Sequence, residues 1–577
     1  MKTKKIKRLP LGNSDFRSIR TENYFYVDKT RYIELLENEH NKNQLFIRPR
    51  RFGKSLFLST LSYYYDVNFA DDFEQLFGDL YIGQHPTPEK NSYAVMQFDF
   101  SGLNAIEGAG SFIKAFYEKI RDTICRFLLL HKNVFSNAEQ LVEQFNKDQP
   151  DLSLLDKIFT IAQSAGIKIF MIIDEYDHFA SDLIKLGEVG GGDFYSTMVK
   201  SNGLVRSFYA RIKSATVSSV VDRTFITGIS PVMLDDFTSG YNIVTNYSLD
   251  KKYNEMLGFT IDEVNALMLG TGVNADMLNN IDMEYYYNGY LFNAKCKNKV
   301  YNSSMVLYIF CQVLTEGEPP REFIDPNLGM DVSRLHYIIQ KNGNREILVK
   351  ILTEGSIVSN ILAKFRTDPL GKESSYFISL LFYMGYLTIK EFYLDELRLV
   401  VPNFSIRTVY WEYMRQLVTE TSPDTTVEER QLKEAINVLA MEGNIHNFID
   451  YVSKNVFSKL SDYDLQHFDE KYIKMMLLAY LFLKSVYIPI SEYEVDAGRI
   501  DIFLQRNPKY PEIKYEWVIE LKYCKTTAND SEITKKRKEG LEQLREYIQS
   551  HHLKDRPNLK PVLIIFIGKN KYEIITE

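Results

Sequence analysis

Cysteine is scarce in this chain of 577 residues. The four cysteines, Cys125, Cys296, Cys311 and Cys524, are scattered and form no CxxC pair. This distribution argues against a structural zinc site and against a disulfide framework. It is typical of a protein in a reducing compartment, and we therefore expect a cytoplasmic location.

Long hydrophobic runs and an excess of positive charge are also missing. The most apolar segment, residues 475–483, is far shorter than the roughly eighteen residues of a membrane span, so we expect a core helix there and no membrane partner. The basic N-terminus is not followed by an apolar stretch, which argues against a signal peptide. The net charge of -7 excludes a global basic field for nucleic acid and leaves only local patches for such binding.

The length and the patterning predict three domains. Over residues 1–250, continuous apolar runs alternate with helical stretches, which is typical of a parallel sheet with helices on both faces. Residues 251–420 are mostly helical and end in a helix–hairpin–helix pattern that suits a winged-helix-like module. A polar stretch at 419–430 is the best linker candidate. Helices followed by strands predict a second α/β domain over residues 433–577.

The segment LFIRPRRFGKSLFLSTL, residues 45–61, ends like a phosphate-binding loop. Such a site needs backbone N–H groups at a helix N-terminus, a lysine for the outer phosphates and a hydroxyl for Mg²⁺. Gly53, Lys54 and Ser55 supply the second half of this arrangement, between an apolar strand and a helix. The segment therefore predicts a nucleotide site, and the alternative explanation is a solvated basic turn.

The first glycine of such a loop is replaced by Arg48. Because that position often needs a backbone conformation that only glycine adopts easily, we expect a loop of different shape. In exchange the loop carries Arg48, Arg50 and Arg51, all able to face anionic oxygens.

A second group of polar candidates ends the apolar run IFMIIDEYD, residues 169–177. There Asp174 can hold Mg²⁺ through water, and Glu175 can polarise an attacking water. Because ligands of open α/β sheets bind at the carboxyl ends of strands, these carboxylates and the phosphate loop should meet. Thr227 ends the next predicted strand and is a candidate sensor of the terminal phosphate, with a turn role as the alternative. For His178 we favour helix capping or surface polarity.

Six blocks of sequence occur in an order that resembles the AAA-ATPase-like proteins of bacteria, over about residues 6–410. The blocks are LPLGNSDF, YFYVDKT, RPRRFGKSLFLS, IIDEYD, FITGIS and YYNGYLF…VYNSSMVL. In that family an RPRRFGKS loop stands where other P-loop proteins have two glycines, so the resemblance implies that Arg48 is a family feature. It implies ATP and Mg²⁺ as cofactors, with Ser55 and Asp174 on the metal and Glu175 as the catalytic base. The expected nucleotide-binding residues are Arg50, Arg51, Phe52, Gly53, Lys54, Ser55, Leu56 and Asp174.

A second site is predicted on two strands near the C-terminus. GRIDIFLQ places Asp501 on one strand, and EWVIELKY places Glu520 and Lys522 on the next. Side chains two residues apart on a strand share a face, so Glu520 and Lys522 should converge. Two carboxylates paired in this way can hold Mg²⁺, and the lysine can steady a nucleophile or an oxyanion. An E-x-K alone is a weak signal, but apolar neighbours bury this strand.

These residues resemble the PD-(D/E)xK nuclease superfamily domain, which is restriction-endonuclease-like, over about residues 433–577. The resemblance implies Asp501 and Glu520 as metal ligands and Asp501, Glu520 and Lys522 as the catalytic set, and the GRxD strand matches as well. Gln543 and Tyr547 lie one turn apart on the next helix and match its Q-x-x-x-Y pattern.

The superfamily often adds a glutamate from the preceding helix. Glu470 is our candidate, while Glu492 and Glu494 are nearer in sequence. The basic run at 535–538 can meet phosphates of a substrate, although its usual role is a solvated helix face.

The combined expectation is an ATP-regulated, Mg²⁺-dependent nuclease that acts on DNA, suited to defence or to the handling of mobile elements. The first alternative is a nucleotide-dependent switch or scaffold whose nuclease fold only binds its partner. The second is an ATPase with the last domain as a tether. We also expect a homo-oligomer, in which Arg206, Arg211 or Arg223 reaches a neighbouring subunit's phosphate.

Overall fold

The computed structural model of the chain describes most of its residues. They are 6–103, 108–178, 198, 203–231, 241–278, 281–320, 339, 344–365, 374–421, 427–460, 469–484, 486–507 and 509–576. Part of the predicted linker, residues 422–426, therefore lies outside the described residues.

The chain divides into two compact units. The first contains Met1–Met277, Tyr287–Asp325 and Ser359–Arg398, and the second contains Leu278–Tyr286, Pro326–Val358 and Leu399–Glu577. The segment predicted as a middle domain is thus shared between the two units, and the three-domain division stays a prediction.

The first unit is built around a five-stranded sheet. Its strands are β1 (Asn43–Ile47), β2 (Ala94–Asp99), β3 (Ile169–Asp174), β4 (Val221–Gly228) and β5 (Thr245–Asn246). The strand order is β2-β3-β4-β1-β5, and every neighbouring pair is parallel. Every residue of β1 and β3 is buried, because helices cover both faces of the sheet. The predicted α/β architecture is confirmed.

Helices connect these strands. The helix Lys54–Tyr65 follows β1 directly and begins after Gly53, whose φ of 89° turns the chain into the helix. The helix Ile261–Thr271 begins at a capping box of Thr260 and Glu263. Within the described ranges, the other helices of this unit are Phe16–Thr21, Arg31–Glu37, Phe73–Phe77, Tyr81–Gln84, Ala109–Leu130, Ala138–Lys147, Ser153–Ser164, Leu204–Val217 and Ser303–Glu316, with 3-10 turns at Val67–Phe69 and Lys251–Tyr253.

The middle of the chain contains the predicted helix–hairpin–helix pattern. A helix at Ser374–Tyr383 is followed by strands β7 (Thr388–Tyr393) and β8 (Glu396–Val400) and by the helix Phe404–Thr421. Strand β6 (Ser356–Ser359) precedes them, and a short helix lies at Met283–Tyr287. No helix in the described ranges is both long and apolar enough to cross a membrane.

The second unit contains another five-stranded sheet. Its strands are β9 (Tyr487–Val495), β10 (Gly498–Arg506), β11 (Glu516–Cys524), β12 (Leu559–Ile567) and β13 (Lys571–Thr576), in the order β13-β12-β11-β10-β9. Only β11 and β12 pair in parallel, and the helix Asp530–Ile548 that joins them packs on both. Among its described residues, this unit also contains the helices Asn344–Glu354, Glu429–Met441, His446–Asn455 and Glu470–Leu481, with a 3-10 turn at Phe457–Lys459.

Candidate functional site

The phosphate loop and the carboxylates after β3 meet in the first unit. Strands β1 and β3 end at the same edge of the sheet, and the hydroxyl of Ser55 donates to Oδ2 of Asp174 at 2.9 Å. A cleft of about 530 Å³ opens beside them, and its lining includes Arg50–Leu56, Glu175 and His178. The structure therefore brings together the side chains that the sequence assigned to one nucleotide site.

Neighbouring segments hold the loop by its carbonyl groups. The carbonyl of Phe52 accepts from the backbone N–H of Gly258 at 2.9 Å. The carbonyl of Arg51 accepts from the hydroxyl of Ser303 at 2.9 Å and from the N–H of Ser304 at 3.2 Å. Arg51 has a left-handed backbone with φ of 68°, as has Gly53. The left-handed positions thus fall at Arg51 and Gly53, and Arg48 is not among the residues with positive φ.

Arg48 does not face the cleft, and the expectation that it meets anionic oxygens was wrong. Its side chain is 1% exposed, and its guanidinium donates to the carbonyls of Ile47, Ser248 and Tyr253 at 2.5–3.0 Å. The guanidinium also lies 3.9 Å from the ring centroid of Phe292. Arg48 is thus an internal clamp at the base of the loop, because its long side chain reaches carbonyls that a glycine would leave without this donor.

Lys54 and Asp174 are both buried, and the charge of each affects the pKa of the other. The Lys54 ammonium donates to the carbonyls of Arg48 and Pro49, at 3.0 Å each, and burial lowers its pKa. Burial raises the pKa of Asp174 to about 6, while Lys54 and the hydrogen bond from Ser55 act in the opposite direction. A cation at Asp174 and an anion at Lys54 would therefore both relieve a desolvated charge, which fits Mg²⁺ and a polyphosphate.

Glu175 and His178 form a pair in the same cleft. Glu175 has an unfavourable left-handed backbone with φ of 51°, which re-aims its side chain at the end of β3. Its carboxylate oxygen Oε2 lies 2.9 Å from Nδ1 of His178, and this contact is the main cause of a lowered pKa of Glu175. His178, for which we favoured helix capping or surface polarity, thus also contacts the predicted base.

Two other polar side chains, at the ends of β3 and β4, serve the fold. The carboxylate of Asp177 is buried and accepts from the backbone N–H groups of Ile229 and Ser230 at 3.0 and 2.8 Å, which ties the end of β3 to the end of β4. The hydroxyl of Thr227 donates to the carbonyl of Phe46 at 2.8 Å and is buried. Thr227 was predicted to sense a phosphate, but its hydroxyl is engaged within the sheet.

The second site forms where β10 and β11 run side by side. The register pairs Ile502 with Ile519, and its continuation places Asp501 beside Glu520. Oδ2 of Asp501 accepts from the backbone N–H of Leu521 at 2.9 Å, and Lys522 Nζ lies 2.6 Å from Oε1 of Glu520. The three predicted side chains are thus adjacent.

Glu520 carries the observation that matters most for metal binding. It is 2% exposed, yet its second oxygen, Oε2, has no hydrogen-bond partner. Burial first, and then the neighbouring Asp501, raise its pKa, whereas Lys522 opposes them. The pKa of Lys522 is also raised by Glu520, which requires a charged carboxylate. The upward direction prevails for the pKa of Glu520, because burial and a second carboxylate act together.

A buried carboxylate oxygen without a donor fits a divalent cation. Among the described side chains, no group of three or more His, Cys, Asp and Glu residues converges as a ready metal cage. The fit is therefore to an ion that takes oxygens from Asp501 and Glu520 and completes its shell with water or substrate, as Mg²⁺ commonly does.

Of the three glutamates considered for this site, Glu470 interacts most strongly with the predicted set. It begins the helix Glu470–Leu481, accepts from the N–H of Tyr523 at 3.2 Å, and has its pKa raised by burial and then by Asp501. Glu494 pairs with Arg499 and is 76% exposed. Glu492 contacts Lys474, a buried lysine that the sequence analysis missed although it is a charge within an apolar helix.

The Q-x-x-x-Y helix supports the strand that carries Asp501. Tyr547 is buried, and its hydroxyl donates to the carbonyl of Arg499 at 2.9 Å. Its ring lies 3.5 Å from where a side chain on Gly498 would begin, and Gly498 has φ of 142°. Gln543 is half-buried on the same helix. Tyr547 therefore positions the GRxD turn.

The basic candidates differ in how they are paired. In the 535–538 run, Lys535 and Lys538 form exposed pairs with glutamates one turn along the helix, and Lys536 donates to the carbonyl of Tyr523. Arg211 pairs with Asp156. Arg223 is buried and pairs with Glu89 at 2.7 Å, so we withdraw it as a residue that reaches another subunit.

Two family models match this chain, and each matched range contains one of the two candidate sites. The family model described as Predicted AAA-ATPase matches residues 10–238. A model of the PD-(D/E)XK nuclease superfamily matches residues 468–576. The chain joins a predicted AAA-ATPase domain to a PD-(D/E)XK nuclease superfamily domain. Both resemblances drawn from the sequence are confirmed, and the two candidate sites lie within the two matched ranges.

Individual relatives are distant. An uncharacterized protein in the vnfD 5' region of Azotobacter chroococcum mcd 1 is 24% identical over 448 residues, which are 77% of this chain and 74% of that protein. Among solved structures, the Walker-type ATPase PABY2304 of Pyrococcus abyssi is 13% identical, with a TM-score of 0.35 over 68% of this chain and 97% of that one. Neither relative therefore assigns a substrate to this chain.

Proposed function

We propose that the AAA-ATPase domain binds ATP with Mg²⁺ in the cleft beside the helix Lys54–Tyr65. Support comes from the adjacency of Ser55 and Asp174 and from the lysine buried next to them. On binding, Lys54 would exchange the carbonyls of Arg48 and Pro49 for phosphate oxygens. Mg²⁺, held by Ser55 and Asp174, would neutralise charge on the phosphates.

Hydrolysis at this site would depend on Glu175. Its lowered pKa keeps it as a carboxylate that can accept a proton from a water, and His178 fixes its direction. The remaining nucleotide contacts we propose come from the cleft lining, Arg50 to Leu56.

The variant Lys54→Ala tests the nucleotide site. We expect loss of ATP binding in a calorimetric titration, because the Lys54 ammonium is a buried cation beside Asp174 at the start of the helix. Lys157→Ala is the matched control, since Lys157 is half-exposed and pairs with Asp148. Binding by Lys54→Ala at wild-type strength would show that the nucleotide does not sit here.

We further propose that the C-terminal domain is a Mg²⁺-dependent nuclease that cuts DNA. The supporting observation is the partnerless buried oxygen of Glu520 beside Asp501. A divalent ion held there would stabilise the negative charge on the phosphodiester. It would also lower the pKa of a nearby water, so that hydroxide is available as the nucleophile. The N–H of Leu521 holds Asp501 in place, and Lys522 can donate to an anionic oxygen on the same face of β11. We assign Glu470 as the accessory carboxylate.

The test compares Asp501→Ala with Glu494→Gln on plasmid and single-stranded DNA, with Mg²⁺ or Mn²⁺, with and without ATP. Cutting should be lost only in Asp501→Ala, because Glu494 is an exposed carboxylate of the same sheet. A substrate left uncut by the wild type under all conditions would favour the alternative, a nucleotide-dependent scaffold with a binding module. A change of cutting with ATP would support regulation of one domain by the other, as expected of a protein of defence or of mobile-element handling.

A further inference from the structure

Lys474 is a buried cation at the proposed metal site. It lies one turn after Glu470 on the helix Glu470–Leu481, where it is 5% exposed among apolar neighbours. Its ammonium contacts the carboxylate of Glu492 and lies 3.4 Å from Oδ1 of Asp501. A buried charge of this kind is retained only with compensating partners, and here these are Glu492 and the proposed metal ligand Asp501.

The oxygens of Asp501 and Glu520 are occupied unequally. Oδ2 of Asp501 accepts from the N–H of Leu521, so Oδ1 is the oxygen left for a metal ion, and it is the one that Lys474 approaches. On Glu520, Lys522 takes Oε1 and leaves Oε2 without a partner. The metal-free site therefore presents one open carboxylate oxygen and one that a lysine covers.

We propose that Lys474 is an internal counter-ion that covers Asp501 in the metal-free protein and competes with the divalent ion for it. The inference rests on the proposed metal site at Asp501 and Glu520. When an ion takes Oδ1 of Asp501, Lys474 keeps its contact with Glu492, so the lysine remains compensated. Lys474 would thereby set the ion affinity without touching the DNA.

Removal of the lysine charge should tighten ion binding. A unit charge about 3.4 Å from a ligand oxygen repels an incoming cation strongly in a partly buried site. We expect Lys474→Met to bind Mn²⁺ at least ten-fold more tightly than the wild type. Lys474→Gln, which keeps a hydrogen-bonding group, serves as a second variant if Lys474→Met does not fold, and it should shift the affinity in the same direction.

The experiment titrates the full-length protein with Mn²⁺ in the absence of DNA and nucleotide, followed by electron paramagnetic resonance of the free ion. Lys471→Met is the matched control, because Lys471 lies on the same helix, is 62% exposed and pairs with Glu354. The Mn²⁺ binding that is lost in Asp501→Ala is the binding that belongs to this site. Tighter binding in the Lys474 variants, with Lys471→Met unchanged, supports the proposal.

Two results would overturn it, and they separate the inference from its premise. If Asp501→Ala loses the ion while Lys474→Met binds it as the wild type does, or more weakly, Lys474 is no competitor and the metal site stands. If the wild type and Asp501→Ala bind Mn²⁺ identically, the proposed metal site fails together with the inference.

Discussion

Substitution of Arg48 tests whether the loop depends on a buried clamp. The guanidinium satisfies the carbonyls of Ile47, Ser248 and Tyr253 and stacks near Phe292. The carbonyl of Tyr253 keeps a second donor, the N–H of Met256 at 3.3 Å, so the substitution leaves two buried carbonyls, those of Ile47 and Ser248, without this donor. Each costs about 1–3 kcal/mol, and the relief of a desolvated charge offsets part of this. We therefore expect Arg48→Met and Arg48→Gly to lose about 3–4 kcal/mol, even though the second restores the residue usual in such loops.

Urea unfolding followed by far-UV circular dichroism measures this loss. The exposed Arg126 provides a matched control, Arg126→Met, which should leave the midpoint unchanged. Both tryptophans, Trp411 and Trp517, are buried in the second unit, so their emission reports that unit separately. A loss below about 1 kcal/mol in both Arg48 variants would refute the clamp.

Three further changes have defined outcomes. Asp174→Asn should stabilise the ligand-free protein by roughly 3 kcal/mol at pH 8 and have little effect near pH 4. The reason is that burial raises the pKa of Asp174 to about 6, so the neutral carboxyl contributes stability below about pH 4 that is lost as the pH rises through 6. Equal shifts of the urea midpoint at both pH values would contradict this. His178→Ala should lower the rate of ATP turnover several-fold while the affinity for ATP stays unchanged, since His178 only directs Glu175. His178→Asn should restore part of the rate. A selective loss of ATP affinity would argue against that role. Gly498→Ala should cost about 1–3 kcal/mol in tryptophan-detected unfolding, because φ there is 142° and Tyr547 packs against the position; an unchanged midpoint would show that the turn relaxes freely.

The elements that the sequence predicted well are those whose pattern is local. Strand β3 is a continuous apolar run up to Asp174, and β1 ends in the apolar residues 45–47, because both faces of the sheet are buried. The helix Lys54–Tyr65 follows directly from the loop pattern. The period of two on β11 predicted that Glu520 and Lys522 share a face, and they lie 2.6 Å apart. Strand β13 was missed because its residues are only half-buried at the sheet edge and form no continuous apolar run.

The errors arose where a side chain's partner lies far along the chain. Arg48 finds its acceptors about two hundred residues later, at Ser248 and Tyr253, and nothing near position 48 signals them. Thr227 is held by Phe46 because β4 is the neighbour of β1, an order that patterning alone does not give. Lys474 left a readable trace, a charge in an apolar helix, but its partners Glu492 and Asp501 become visible only when the sheet is assembled.

The way the phosphate loop is held also determines where the protein can be shortened. The AAA-ATPase match ends at residue 238, yet the carbonyls of Arg51 and Phe52 are bonded to Ser303, Ser304 and Gly258. A fragment that stops at the end of the sequence match would leave these carbonyls without their donors and uncover the ring of Phe52. Expression trials aimed at an isolated ATP-binding fragment should therefore keep the polypeptide at least through Glu316, the end of the helix that supplies the two serines.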